Sequence, residues 1–300
     1  MADRRIKNKI PLTKADQIFD SFNYFFLFLI FVITIYPVYY VLVASISNST
    51  YVNSGELLLY PRGIHFSGYL HVLTDQRIGI GYFNTMIYTL GGTALGLCTS
   101  LLAGYSLSRK DLPGRNIVMA FMVFTMYFSG GLIPTYLVVK SLGLLNQRLI
   151  VIILGSVSVY NIILIRTFFS STIPSDLHEA AEIDGCGNIR FFFSIVLPLS
   201  KAIVAVIGLY LAVGYWNSYF NALIYLTDRA KHPLQIFLRE ILLTQTNNDI
   251  ADGEMASDYK KMVAVIKYAV IVISTLPIMC LYPFLQRYFV QGIMIGSVKG

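Results

Sequence analysis

The architecture of this chain depends on a short polar stretch, Glu179-Ala180-Ala181-Glu182-Ile183-Asp184-Gly185-Cys186-Gly187, which precedes the apolar run Ile195-Val196-Leu197-Pro198-Leu199. Ser175 is a suitable N-cap for a helix, and the acidic residues that follow it favour a helix N-terminus. The predicted helix runs to about residue 184 and stops at Gly185, a residue suited to a left-handed C-terminal cap. A second short helix over 188–193 leads into the apolar run. Residues 175–193 therefore form a predicted two-helix segment, named the elbow below.

The elbow has the features of a docking surface. Glu179 and Glu182 are three residues apart and share one helix face. The small side chains of Ala180 and Ala181 allow another protein to approach the backbone closely. Pro198 redirects the chain after the elbow, so a push on the elbow would reach the next segment as a rigid movement. The alternative interpretation is a solvated loop with ordinary caps.

The composition is that of a membrane protein. Of the 300 residues, 56% are hydrophobic and 13% are charged, whereas soluble domains carry about 25% charged residues. The net charge of +7 comes from cations at the ends of apolar segments, which is typical of topology signals and not of a nucleic-acid partner. The three cysteines are far apart and predict neither a disulfide framework nor a metal site.

Six apolar segments are each long enough to cross a bilayer, which takes about 20 residues. They are predicted at residues 22–46, 82–107, 117–139, 149–169, 196–226 and 268–289. Pro37, Pro134 and Pro277 fall inside three of these spans and are expected to kink them. We therefore expect an all-α membrane protein with six transmembrane helices and no further domain.

Orientation follows from the lysines and arginines of the short connections, because such residues are retained in the cytoplasm. They cluster in the N-terminal segment 1–21 and around Arg109, Lys110 and Arg115. Both termini, the tail 290–300 and the elbow are then cytoplasmic, in a multi-pass protein of the cell membrane. The loop 227–267 lies outside; its cations are an exception to the rule, although carboxylates dilute them. Within this loop, residues 233–243 predict an amphipathic helix on the outer membrane surface.

The spacing E-A-A-x-x-D-G, with I-V-L-P-L beginning ten residues later, closely resembles the EAA loop of membrane subunits of binding-protein-dependent ABC importers. The resemblance extends to residues 129–136 (SGGLIPTY), 142–146 (LGLLN) and the tail 286–300, which look like the second permease of carbohydrate importers of the maltose and alginate type. It covers the chain from about Ile18 onward. The chain departs from the usual loop at Cys186, where the family commonly has alanine.

This resemblance implies the type I ABC importer permease fold, with the elbow as the coupling helix that docks on an ATPase subunit. The implied docking residues are Glu179, Ala180, Ala181, Asp184, Gly185, Phe191 and Phe192. The aromatic residues 191–193 have two open alternatives, because they could pack in the ATPase cleft or against the underside of their own membrane domain. The implied partners are a second homologous permease, two ATPase subunits and an external solute-binding protein.

The sequence contains no recognisable nucleotide-binding or catalytic motif. It contains no G-x-x-x-x-G-K-[ST] phosphate-binding loop, so ATP and Mg²⁺ are expected in the partner ATPase subunits. The four histidines are scattered and form no catalytic grouping. We therefore expect a non-catalytic subunit without a cofactor or metal ion.

Polar and aromatic residues inside spans are costly unless they face a cavity or a partner helix. Aromatic faces suit sugar rings and amides suit sugar hydroxyls. Residues of these types predict a substrate path at Asn84, Tyr127, Asn161, Trp216, Asn217, Tyr219 and Asn221. Helix packing is the competing explanation for each of them. The spacing of Gly92 and Gly96 is expected to serve close helix packing.

The function expected from these observations is ATP-driven import of an oligosaccharide or polysaccharide fragment that an external binding protein delivers. An importer for a non-sugar solute is the first alternative, because the elbow does not identify the solute. The remaining alternatives are a secondary carrier or channel, and a membrane-embedded enzyme. The lack of charged residues in the middle of the spans argues against proton or sodium coupling.

Overall fold

The computed structural model describes residues 13–55, 59–247, 265–281 and 283. Regular structure within these ranges is helical and includes no strand, as predicted. The helices are α1 (Lys14–Ser45), α2 (Ser49–Asn53), α3 (Ser67–Thr74), α4 (Gln76–Ser108), α5 (Arg115–Tyr127), α6 (Leu132–Ser141), α7 (Arg148–Leu154), α8 (Val159–Thr172), α9 (Ser175–Ile183), α10 (Asn188–Phe191), α11 (Leu197–Leu199), α12 (Lys201–Trp216), α13 (Phe220–Tyr225), α14 (Leu234–Asn247) and α15 (Val265–Leu281).

Two of the described helices, α1 and α4, are each long and apolar enough to cross a membrane unaided. Three further spans are available if each of three bent helix pairs is one span: α5 with α6, α7 with α8, and residues 188–199 with α12. The described part of the sixth predicted span is the shorter apolar helix α15. Its continuation and the tail 290–300 lie outside the described residues, as does the segment 1–12.

The third and fifth predicted spans are not continuous helices. The third is broken between Tyr127 and Leu132, where the axes of α5 and α6 differ by 111°. Gly131, at a φ of 85°, precedes α6, and Pro134 lies in the first turn of α6, so the glycine and not the proline marks the break. The fifth span bends by 83° around Ser200 and its helix ends at Trp216, ten residues before the predicted end.

Chain contacts divide the protein into two compact units. One comprises Met1–Tyr69 and Asp252–Val272, and the other comprises Leu70–Ala251 and Ile273–Gly300. In the first unit, the end of α1 packs with α2 through Val43, Ala44 and Val52. From Phe22 to Tyr39, α1 is exposed and predominantly apolar, which is the surface expected of a helix that contacts lipid.

The second unit is organised around α4, whose glycines admit neighbouring side chains. A Cβ atom on Gly92 would lie 2.2 Å from the Tyr215 ring of α12, and a Cβ atom on Gly104 would lie 2.5 Å from Ile165 of α8. Gly96 is similarly close to Leu211. Because real Cβ contacts are essentially never this short, an added methyl group at Gly92 or Gly104 would force the neighbouring side chain to shift. The predicted packing role of the glycines is confirmed.

Helix α14 packs on α4. Its residues Leu234, Ile236, Phe237 and Leu238 are buried, and the Leu234 N–H donates to Thr85 Oγ1 at 2.9 Å. The apolar face of α14 is therefore buried within the protein. The predicted amphipathic helix over residues 233–243 corresponds to α14, and its location on the outer membrane surface stays a prediction.

Candidate functional site

The N-cap of the first elbow helix lies one residue earlier than predicted. Pro174 is the N-cap, with the extended φ and ψ of −63° and 145°, and Ser175 is the first helical residue. The predicted role of Ser175 as N-cap was therefore wrong, and the proline side chain at the cap accepts no hydrogen bond from the first turn. The Ser175 hydroxyl instead lies 3.4 Å from Asp176 Oδ1. Asp176, in the first turn, complements the positive end of the helix dipole.

The C-terminal cap of α9 is the predicted left-handed glycine. Gly185 has a φ of 72°. The Gly185 N–H donates to Glu182 O at 2.9 Å, and the Cys186 N–H donates to Ala181 O at 2.8 Å. These two bonds form a Schellman motif, which satisfies carbonyls that a helix end would leave unpaired. The turn between α9 and α10 is therefore fixed by backbone bonds.

His178 fixes the two elbow helices to each other. Its Nε2 lies 3.2 Å from Asn188 Oδ1, at the start of α10, and its ring packs edge-on against Phe191 with centroids 4.8 Å apart. On the other side, His178 Nδ1 lies 3.4 Å from Glu182 Oε1. The elbow is consequently a braced unit and not a pair of independent helices.

The inner face of the elbow is part of the hydrophobic core of the second unit. Ala181, Phe191 and Phe192 are 8%, 2% and 3% exposed. They share one buried cluster with residues of three longer helices: Leu101 of α4, Ile165 and Phe169 of α8, and Ile207, Leu211 and Tyr215 of α12. Of the two alternatives for the aromatic run, packing against the chain's own domain is the one that the structure shows for Phe191 and Phe192.

The outer face of the elbow is exposed and includes two apolar residues that sequence reasoning missed, Ile183 at 87% and Ile189 at 77% exposure. Phe193, the third residue of the predicted aromatic run, is 60% exposed. The predicted docking residues Glu179, Ala180, Asp184 and Gly185 are exposed as well. Ile183 lies inside the elbow motif, two residues before Gly185. This position in the motif was the signal in the sequence that could have identified Ile183 as part of the docking surface. The exposed face therefore places large apolar side chains beside carboxylates, and exposed apolar surface rimmed by polar residues marks interaction sites.

Arg109, at the end of α4, connects the elbow to the α4–α5 connection. Its Nη2 lies 2.7 Å from Asp111 Oδ2 and 3.8 Å from Glu182 Oε1. The hydrogen bond from Arg109 lowers the pKa of the Asp111 carboxyl to about 2. Arg109, Arg115 and Arg166 also line a cleft of about 830 Å³ beside the elbow, together with Glu179 and Glu182. The cleft is thus lined with charges of both signs.

Two residues predicted for the substrate path belong to the interior. Asn84 is fully buried; its Nδ2 donates to Ala230 O at 2.8 Å and to His232 O at 3.0 Å, and its Oδ1 accepts from Arg148 at 3.0 Å. Trp216 is 6% exposed and its Nε1 donates to Ser274 O at 2.9 Å. These polar atoms hold the segment 229–234 and α15 in place, so neither residue is open to a substrate.

The other predicted path residues lie in four places. Asn161 is 6% exposed near the start of α8, and Tyr127 is 77% exposed at the end of α5. Asn221 is half-buried in α13. Asn217 and Tyr219 are exposed in the turn between α12 and α13. Of the predicted set, Asn217 and Tyr219 form a polar and aromatic patch.

Two residues of α14 complete this patch, although sequence analysis assigned them no role in the substrate path. Gln235 Nε2 donates to Asn217 Oδ1 at 3.5 Å. The guanidinium carbon of Arg239 lies 4.9 Å from the centroid of the Tyr219 ring. Asn217, Tyr219, Gln235 and Arg239 are named the outer patch below. Their proximity depends on the packing of α14, which sequence periodicity does not fix.

Comparison with known proteins identifies the family. Residues 96–295 match the family described as binding-protein-dependent transport system inner membrane component. The polygalacturonan/rhamnogalacturonan transport system permease protein YtcP of Bacillus subtilis is 41% identical over 95% of this chain and 99% of its own. Protein LplC of the same organism is 40% identical over 96% and 97%, respectively.

Comparison with a solved structure also supports this family through the fold. A chain in the crystal structure of a bacterial ABC transporter that imports the acidic polysaccharide alginate is 32% identical and superposes with a TM-score of 0.83, covering 94% of this chain and 100% of that chain. The protein belongs to the family of inner membrane components of binding-protein-dependent transport systems. It has the type I ABC permease fold that the elbow motif predicted.

Proposed function

We propose that this chain is a permease subunit of an ATP-driven importer and that it passes an oligosaccharide or a polysaccharide fragment across the cell membrane. The observation that carries the proposal is the two-sided elbow. Its outer face exposes Ile183, Ile189 and Glu179, while its inner face is buried in a cluster with α4, α8 and α12. A partner that moves the outer face must therefore move three long helices.

The partner on the outer face is an ATPase subunit. The full importer contains two such subunits, which bind ATP and Mg²⁺, with a second homologous permease and an external solute-binding protein. Glu179, Ala180, Asp184 and Gly185 form the docking surface, and Ile183 fills an apolar depression in the ATPase subunit. The carboxylates of the same face favour a basic rim on that subunit.

The topology that fits this arrangement has six spans, with both termini and the elbow in the cytoplasm. The basic residues Arg109, Lys110 and Arg115 lie beside the elbow, on the side where lysine and arginine are retained. The loop 227–267 is then external and contacts the binding protein. Removal of residues 244–257, most of which lie outside the described residues, should lower uptake; unchanged uptake would remove this assignment.

Transport follows from the mechanical connection of the elbow to the spans. ATP binding closes the ATPase dimer and displaces the elbow. Because His178 braces α9 against α10, the displacement passes as one movement into the segment 188–199 and on to α12. The buried cluster carries it to α4 and α8, and the path opens to the outside. Hydrolysis reverses the movement.

The substrate class is supported by the relatives, which transport polygalacturonan and rhamnogalacturonan or alginate. The test is uptake of radiolabelled trigalacturonate into proteoliposomes that contain the assembled importer. Uptake should require both internal ATP and the binding protein, and Ile183→Glu should reduce it strongly while Ile183→Leu does not. Uptake driven by a proton or sodium gradient in the absence of ATP would contradict the proposal and favour a secondary carrier.

A further inference from the structure

Two contacts between α14 and the turn that follows α12 form the outer patch. Gln235 and Arg239 are four residues apart on α14 and therefore share one helix face. Gln235 meets Asn217, and Arg239 meets Tyr219, in the turn that follows α12. Because both contacts lie along the same face, an aromatic ring, two amides and a guanidinium group are brought together at the protein surface.

Arg239 differs from Arg229 and Lys231 in having no carboxylate partner among the described residues. Arg229 Nη2 lies 3.1 Å from Glu240 Oε1, and Lys231 Nζ lies 3.6 Å from Asp228 Oδ2. No carboxylate of the described residues pairs with Arg239; its contact is the Tyr219 ring. A cation over an aromatic face is held in position yet keeps its N–H groups for another acceptor.

The amides of the outer patch are also available to a ligand. The bond from Gln235 to Asn217 is 3.5 Å long, at the limit for a hydrogen bond, so a sugar hydroxyl can replace it at little cost. Asn217 Nδ2 bonds to Val213 O at 2.9 Å, which orients its amide. The neighbouring Phe220 is 52% exposed and extends the apolar surface.

We propose that Asn217, Tyr219, Gln235 and Arg239 form a subsite for the carboxylate-bearing ring of an acidic saccharide, at the outer entrance of the transport path. The guanidinium group of Arg239 donates to the sugar carboxylate, for which its planar donor edge is suited. The Asn217 and Gln235 amides bond the ring hydroxyls, and Tyr219 holds Arg239 in place. The subsite rests on the proposed function, because it requires that saccharides pass through this chain.

The test uses the complete importer with its binding protein in proteoliposomes and trigalacturonate as the probe. Arg239→Gln should lower the kcat/KM of uptake by about tenfold or more, since a charge-assisted hydrogen bond to a carboxylate is lost. Arg239→Lys, which keeps the charge, should recover much of it. The matched control is Arg229→Gln, which removes an exposed arginine of the same segment and should change uptake by less than about twofold.

A second readout separates a sugar subsite from a contact with the binding protein. ATP hydrolysis stimulated by the loaded binding protein should stay within about twofold of wild type in Arg239→Gln. A parallel loss of stimulated hydrolysis and uptake would overturn the subsite and assign Arg239 to the binding-protein interface. Unchanged uptake of trigalacturonate would also overturn it.

Uptake by the wild-type importer shows whether only the subsite proposal is wrong or the proposed function is wrong as well. If the wild-type importer transports maltotriose but not trigalacturonate, saccharide import stands and the acidic subsite is wrong. If it transports neither saccharide with ATP and its binding protein, both the proposed function and the subsite are wrong.

Discussion

Asn84 illustrates what a polar residue inside a span can do besides contacting a substrate. Its side chain makes three hydrogen bonds, to Ala230, His232 and Arg148. Each joins α4 to a part of the chain more than sixty positions away in sequence. The amide therefore fixes the segment that leads into α14, and with it the position of Gln235 and Arg239.

Replacement of this amide should destabilise the fold. Asn84→Ala leaves two carbonyls and a guanidinium group without their buried partner, and we expect a loss of about 1–3 kcal/mol in unfolding free energy. The measurement is denaturant unfolding of the purified chain in detergent. Asn221→Ala is the matched control, since no hydrogen bond to the Asn221 side chain occurs among the described residues, and equal effects of the two substitutions would contradict this role.

Ile183 tests the outer face of the elbow at the level of one side chain. Because it is 87% exposed, Ile183→Glu should change the stability of the isolated chain by less than about 0.5 kcal/mol. If the residue is buried against an ATPase subunit, the same substitution should greatly reduce the amount of ATPase that co-purifies. Normal recovery of the ATPase, measured by quantitative gel analysis, would exclude Ile183 from the interface.

At the scale of single residues, the sequence predicted the backbone conformation of a residue better than the surroundings of its side chain. Gly185 was assigned correctly because a left-handed cap depends on the residue itself. Asn84 and Trp216 were placed on the substrate path because an amide or indole that faces a cavity looks the same in sequence as one that bonds a distant carbonyl. Arg239 was missed because its environment depends on the packing of another helix.

The elements of the second unit meet through the glycines of α4. Gly92 lies against Tyr215, whose hydroxyl donates to Ile152 O at 2.5 Å. This hydrogen bond fixes the ring, so it cannot move away from a larger neighbour. The packing of α4 with α12 thus depends on the absence of one methyl group.

Gly92→Ala should weaken this packing. The new Cβ atom would lie 2.2 Å from Tyr215 Cζ, and we expect a loss of about 1–3 kcal/mol, as for overpacked cores. Thermal unfolding in detergent is the measurement. Gly79→Ala is the matched control in the same helix, where the added atom meets nothing within 4 Å; a control that destabilises as much as Gly92→Ala would contradict the packing explanation.

Helix positions followed from apolar length, but helix continuity did not. Predicted span 82–107 agrees closely with α4, and 22–46 with the second part of α1. The third span is broken at Gly131 and the fifth bends near Ser200. Hydropathy averages over a window, so it records that a segment is apolar and not that its axis turns. Such breaks become stable only when neighbouring elements satisfy the freed backbone groups.

At the scale of the whole molecule, the class of protein could be predicted because the composition and the elbow motif both indicate a membrane transport subunit. A chain that is 56% hydrophobic must satisfy its backbone within helices if it crosses a bilayer, and the elbow motif specified the family. The site was predictable only where it is local in sequence, as in the elbow. The outer patch joins residues 217–219 to residues 235–239 through the fold, and no local pattern signals that contact.

The central claim is that the elbow docks an ATPase subunit and transmits its movement to the spans. It is tested most directly by affinity purification of the tagged chain from its native membrane in mild detergent. The compared variants are Gly185→Val and Gly187→Val. Gly185 has a φ of 72°, which valine cannot adopt without strain, whereas Gly187 has a φ of −68° and open space around it.

We predict that the wild-type chain and Gly187→Val recover a second permease and the ATPase subunit. Gly185→Val should recover the second permease but much less ATPase, because the turn that orients α9 is lost. Purification of the wild-type chain without an ATPase, or equal ATPase recovery with both valine variants, would contradict the account.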